Sequence, residues 1–127
     1  MIRIQFMTSG DGHVDLSDME WTDMQTLRRN TDYWLRSSQT EAFTLAGRGY
    51  RFGDRELHEV MWSLRRYAKE TLRRISFNRN NITALGAQYL STACLSFTAL
   101  QSIRLAHNPL GDEGAIVIAS VRWLASS

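Results

Sequence analysis

Leu72-Arg-Arg-Ile75-Ser-Phe77-Asn-Arg-Asn80-Asn-Ile82 is answered 28 positions later by Leu100-Gln-Ser-Ile103-Arg-Leu105-Ala-His-Asn108-Pro-Leu110. The second half of the unit recurs as well, with Gly86-Ala87 and Leu90 matched by Gly114-Ala115 and Ile118. Both copies read L-x-x-L-x-L-x-x-N-x-L, so residues 72–124 contain one structural unit written twice. A fixed period of this size means that no unit can bury its own apolar face, and neighbours must stack to build a core.

Each position of the pattern has a physical reason. In Ile75-Ser76-Phe77 and Ile103-Arg104-Leu105 the outer residues fall on one face of a short strand and the middle residue on the other. Asn80 and Asn108 follow three residues later, where the chain turns. An amide there can bond backbone groups that the turn leaves unpaired. Ile82 and Leu110 re-enter the core, and a helix returns the chain along the other side. Asp112, ahead of Ala115, Ile118, Ala119 and Leu124, is placed to cap the last helix.

Weaker copies lie upstream. Phe43-Thr44-Leu45 matches the strand, and Phe52-Gly-Asp54-Arg-Glu-Leu57 matches Leu110-Gly-Asp112-Glu-Gly. Arg48 stands in place of Asn, and two extra residues precede Phe52. Val14-Asp15-Leu16 opens a further unit, with Met19 at the Asn position and Trp21 at the next apolar one. The anchors Leu16, Leu45, Phe77 and Leu105 are spaced 29, 32 and 28 residues apart. The expected division is one domain over 1–127, with a cap at 1–12 and repeats at about 13–41, 42–71, 72–99 and 100–127.

These residues resemble the ribonuclease-inhibitor-like subfamily of leucine-rich repeats, and the run Leu110-Gly-Asp-Glu-Gly-Ala115 is typical of it. The resemblance is firm over 72–124 and loose over 13–71. It implies an α/β fold, a short right-handed solenoid with parallel strands on the concave face and helices on the convex face. It also implies a binding role, usually through the concave face.

Composition sets limits. With 43% hydrophobic and 22% charged residues the chain is of the soluble globular class, and it is large enough for one core. No apolar run approaches the ~20 residues of a membrane span. Met-Ile-Arg-Ile-Gln-Phe-Met is too short and too alternating for a signal peptide. The single cysteine, Cys94, rules out an internal disulfide framework and points to a reducing, intracellular compartment, the cytoplasm first and an organelle second. Cys94 shares the apolar side of its helix with Ala87 and Leu90 and is expected in the core.

Lys69 is the only lysine among 15 basic residues. Arginine forks pair well with carboxylate and phosphate, although a GC-rich genome would produce the same bias. The first residues, with Ile2, Ile4 and Phe6 alternating with Arg3 and Gln5, read as a strand. Thr-Ser-Gly-Asp-Gly at 8–12 reads as a turn, so a hairpin is expected to cap the first repeat.

No cap is recognisable after the last helix. Ile116, Val117, Ile118, Val121, Trp123 and Leu124 cannot all face one inward stripe. The expectation is that Ile116, Val117, Val121 and Trp123 form an exposed end that docks on another chain or on a second copy. The alternative is that this helix folds over the end of the core.

The concave face is expected to run from acidic to basic. Asp15 represents the first unit, Arg74, Ser76, Asn78 and Arg79 the third, and Arg104 and His107 the fourth. Arg74, Arg79 and Arg104 are the expected contacts for a carboxylate or phosphate. Signals for chemistry are lacking. His13, His58 and His107 are scattered, no spacing suggests a metal site, and Gly47-Arg-Gly49 and Gly10-Asp-Gly12 lack the residues of a phosphate-binding loop. The expectations are therefore no catalytic residue, no cofactor and no membrane. Three functional readings follow: an interaction module or scaffold subunit of a larger assembly, an Arg-rich subunit of a ribonucleoprotein such as a ribosome, and a GTPase-regulatory repeat protein.

Overall fold

The computed structural model describes residues 12–36 and 39–121. Strands β1 (His13–Asp15), β2 (Ala42–Thr44), β4 (Arg74–Ser76) and β6 (Ser102–Arg104) form one parallel sheet in that order. Helices α1 (Met24–Leu35), α2 (Asp54–Ala68) and α3 (Ala84–Ala93) carry the chain between them, and α4 (Gly111–Ala119) follows β6. Parallel neighbours require such crossovers. The helices pack in a row, α1 on α2, α2 on α3 and α3 on α4. This is the α/β arrangement expected from the repeated pattern.

The register follows the apolar alternation. Val14, Phe43, Ile75 and Ile103 lie side by side in the sheet. The first three are at most 1% exposed, and the anchors Leu16, Leu45 and Phe77 just after the strands are fully buried. From the helix side, Leu27, Leu35, Leu57, Val60, Met61, Leu64 and Leu90 close the same core. Burying each of these large side chains contributes about 1.5–3 kcal/mol, and neighbouring units supply most of the contact. Trp21 joins the core edge-on to Phe52. Cys94 also lies in the core, where burial pushes its thiol up to about 12.

The extra residues of the second unit form structure of their own. They build β3 (Gly49–Gly53), which pairs with β5 (Asn80–Asn81) in a separate two-stranded parallel sheet with an irregular register. The insertion is thus absorbed as a strand along the turn side, and the main sheet keeps its register.

Helix starts are set by local chemistry. At α1 the Asp23 carboxylate accepts from Thr26 N–H at 2.8 Å while Thr26 Oγ1 accepts from Asp23 N–H at 3.0 Å. That backbone bond holds the Asp23 carboxyl below its usual range. At α2, Glu56 Oε1 accepts from Gly53 N–H. Asp54, at the first position of α2, accepts from both Thr83 N–H and Thr83 Oγ1, tying α2 to the cap of α3. Gly86 belongs to this tie, because a Cβ there would run into Asp54 Oδ1.

Asp112 is not the cap of α4. The helix begins at Gly111 after Leu110, and no side chain closes its end. Gly111 has φ +67 and Leu110 N–H is bound to Asn108 O, so the chain enters the helix early. Asp112 then sits within the first turn, where its charge suits the positive helix end.

The expected N-terminal hairpin lies outside the described residues apart from Gly12, whose carbonyl accepts from Glu41 and Ala42 N–H. Trp123 also lies outside them. Val121 is only 5% exposed, which contradicts its expected place on an exposed end: the turn after α4 directs it inward. Ile116 is 68% exposed, as expected, and Val117 is half-buried.

Candidate functional site

The outward positions of the sheet form a lattice that can be read from the register. His13, Ala42, Arg74 and Ser102 make one row, and Asp15, Thr44, Ser76 and Arg104 make the next. Adjacent strands are about 4.8 Å apart, and successive outward residues on one strand about 6.6 Å. Arg74 and Arg104 therefore occupy opposite corners of one cell, with Ser76 and Ser102 at the other two. The diagonal measures roughly 8 Å.

Both arginines are exposed and both serines half-buried. The four side chains share a shallow cleft of about 280 Å³ on the sheet face, where it crosses Phe43 and Ile75, whose side chains are buried in the core. Thr44 and His13 close its far side, joined by a 2.9 Å bond between His13 Nε2 and Thr44 Oγ1. No carboxylate lines this cleft among the described residues, and neither arginine has an ion-pair partner among them.

The other expected contact residues are placed differently. Asn78 supports the turn, its Oδ1 accepting from Ala106 N–H at 2.8 Å. Asp15 Oδ1 accepts from Ser17 N–H at 3.0 Å, on the first strand and away from the arginines. Arg79 and His107 stand at the rim of the face, in the turn after the strand, both exposed and both with positive φ, 61 and 63. Gly47 takes the same turn position in the second unit with φ 76. Non-glycine residues carry a strain of about 1 kcal/mol or more in this conformation, so Arg79 and His107 are kept at a cost to stability. The structure thus brings Arg74, Ser76 and Arg104 together, with His13 and Ser102 added from the same face.

Two asparagines hold the face in place from behind. Asn80 is 5% exposed and donates to Leu45 O and Phe77 O while accepting from Arg48 N–H. Asn108 donates to Phe77 O and Leu105 O and accepts from Ile82 N–H. Each amide bonds its own turn and that of the preceding unit.

A larger cleft of about 830 Å³ lies on the helix side, with Met24, His58, Leu85 and Tyr89 in its lining. The rings of His58 and Tyr89 meet there at 4.5 Å, with His58 exposed on its helix. Burial raises the Tyr89 hydroxyl pKa. The cleft draws on three helices, and no spacing within one segment announces it. Among the described residues, no group of three His, Cys, Asp or Glu could hold a metal ion, and no helix is long and apolar enough to cross a membrane.

A family model described as leucine-rich repeat matches residues 68–91 and 98–119, the two clear copies of the pattern. No curated protein sequence matches the chain significantly. Among solved structures, leiomodin-1 actin-binding site 2 superposes with a TM-score of 0.66 at 20% identity, over 94% of this chain and 68% of that one. The tropomodulin C-terminal domain of Caenorhabditis elegans gives 0.64 at 16% identity, over 94% and 71%. At such identities the likeness is one of fold. The chain has a mixed α/β fold with parallel strands and helices, with leucine-rich repeats at residues 68–91 and 98–119, consistent with a short domain of that repeat type.

Proposed function

We propose that this chain is a non-enzymatic protein–protein interaction module, a scaffold subunit of a larger assembly whose partner seats on the outer sheet face. The observation that carries this reading is the cleft at Arg74 and Arg104. Two guanidiniums project from the sheet, and among the described residues neither has an ion-pair partner and no carboxylate lines the cleft between them. Preorganised arginine forks on a rigid element favour binding because little ordering entropy is lost on contact. The strained turn residues Arg79 and His107 support the same face. The subfamily assignment, ribonuclease-inhibitor-like, and the division into a cap and four repeats belong to this proposal. So does a reducing, intracellular setting, which the buried, free Cys94 suits.

A second contact of the same module lies at the C-terminal end. Ile116 is 68% exposed, and Ile103 and Leu110 are less buried than Ile75 and Ile82 at the matching positions. An apolar end of this kind fits another chain or a second copy.

Photo-crosslinking separates the faces. A photoreactive amino acid at Ala106, exposed beside the cleft, should capture a protein chain from an extract of the native cells. The same group at Gln88, exposed on the helix side, should capture none. Adducts of equal yield from both positions would contradict the reading.

A further inference from the structure

We infer that the Arg74–Arg104 cleft is a seat for a single phosphate monoester carried on a protein segment, an inference that rests on the interaction reading above. One cell of the sheet places guanidinium, hydroxyl, guanidinium and hydroxyl at its four corners, from Arg74, Ser76, Arg104 and Ser102. Arg74 and Arg104 both line the cleft and spring from opposite ends of a diagonal of roughly 8 Å, within reach of one ligand between them.

A carboxylate offers two oxygens in one plane and a single negative charge, which two guanidiniums outweigh. A phosphate monoester offers three oxygens and up to two charges. It can take a bidentate pair from each arginine and still accept from the serines. Ser76 and Ser102 are half-buried on the sheet face, and their short side chains lose little freedom when a ligand is bound.

The surroundings favour one phosphate over a polynucleotide. A nucleic-acid track needs successive cations along its path. Here the next strand outward contributes Ala42 and Thr44, and the one beyond it His13 and Asp15. Asp15 lies across two strand spacings from Ser76, about 9.6 Å. A polyanion laid along the face would meet this carboxylate, whereas a segment with a phosphate over the arginines and a lysine over Asp15 would match both ends. That separation equals about three residues of extended chain.

The test uses defined probes on the full chain. NMR titrations compare inorganic phosphate with the peptides Lys-Ala-Ala-phosphoserine and phosphoserine-Ala-Ala-Lys, each alongside its unphosphorylated form. Saturable shifts should centre on the amides of Ser76 and Ser102. At least one phosphopeptide should bind tenfold or more tightly than its unphosphorylated form. Binding should weaken from pH 7.5 to 5.5, as the phosphate second ionisation near 6 is crossed.

Arg74→Gln and Arg104→Gln, both at exposed positions, should each lower phosphate affinity at least fivefold with thermal unfolding unchanged. Asp15→Asn should weaken the phosphopeptide several-fold and leave inorganic phosphate unaffected. Equal binding of the phosphorylated and unphosphorylated peptides would overturn the inference. So would an oligouridylate that binds the cleft more tightly than either phosphopeptide.

Phosphatase treatment of the extract in the Ala106 crosslinking experiment separates this inference from the reading beneath it. A protein adduct lost on treatment supports both. An adduct that survives treatment keeps the interaction module and refutes the phosphate. No adduct before treatment refutes the module.

Discussion

Two joints of the sheet meet the same demand with different chemistry. Where β2 meets β4, the buried Asn80 amide bonds Leu45 O, Phe77 O and Arg48 N–H at 2.8–3.0 Å. Where β1 meets β2, the corresponding position is Arg48, whose Nη1 reaches back to Ser17 O at 2.7 Å. Its guanidinium lies 4.7 Å from the centre of the Trp21 ring, and Arg51 stacks on that ring at 4.8 Å and donates to Trp21 O. Both joints satisfy backbone carbonyls of the preceding unit. One uses a compact amide within the fold, the other a long cation leaning on an aromatic at the edge of the core. A buried group loses much when its partner is removed, because the orphaned backbone has no water to turn to. At the half-exposed joint, water can replace part of what is lost.

The largest effect is therefore expected at Asn80. Asn80→Ala should cost about 3 kcal/mol, since three backbone groups lose their partner at a site closed to solvent. Urea unfolding measures this directly, and a cost under about 1 kcal/mol would erase the contrast between the joints. Asn108→Ala makes the same chemical change at a half-buried position, and about half that cost is expected. Arg48→Lys should cost about 1 kcal/mol, because lysine keeps the charge but loses the flat stack on Trp21. Its effect should fall below that of Asn108→Ala.

The turn residues are expected to move stability the other way. Arg79→Gly and His107→Gly relieve a positive φ that Gly47 adopts freely, and each should stabilise by up to about 1 kcal/mol. If the crosslink yield at Ala106 falls at the same time, the strain is retained for binding. If it does not, the rim residues take no part in contact.

The smallest effect concerns pH. Burial raises the Cys94 thiol to about 12 in the folded chain, against 9.0 for the free group. The folded state therefore holds its proton longer than the unfolded state does. This contribution is complete below about pH 9 and declines as the pH climbs towards 12. A thiol reagent at pH 8 should label the folded protein far more slowly than the protein in urea, and rapid labelling would place Cys94 outside the core.

Much of this architecture was legible from the sequence because Ile75, Phe77 and Asn80 recur as Ile103, Leu105 and Asn108, and a repeated unit reveals what each position does. Val14 and Phe43 then fall into register without any further signal. The turn before α2 was not legible, since the insertion carries no periodicity to mark Gly49–Gly53 as a strand beside Asn80–Asn81. Asp112 misled because a good capping residue was present one step too late, after Gly111 had already turned the chain. The positive φ of Arg79 and His107 is hidden because neither residue type announces it. At the site, Arg74, Ser76 and Arg104 were visible as strand positions, but their closure into one cell with Ser102 depends on the cross-strand register of β4 and β6.

The most direct test of the sheet face as the binding surface is a charge reversal of its cleft. Arg74→Glu/Arg104→Glu should abolish the protein adduct formed from Ala106 while the thermal unfolding midpoint stays within about 2 °C of the parent, since both side chains are exposed and surface changes of this kind cost little. An adduct of undiminished yield from the doubly reversed chain would contradict the account.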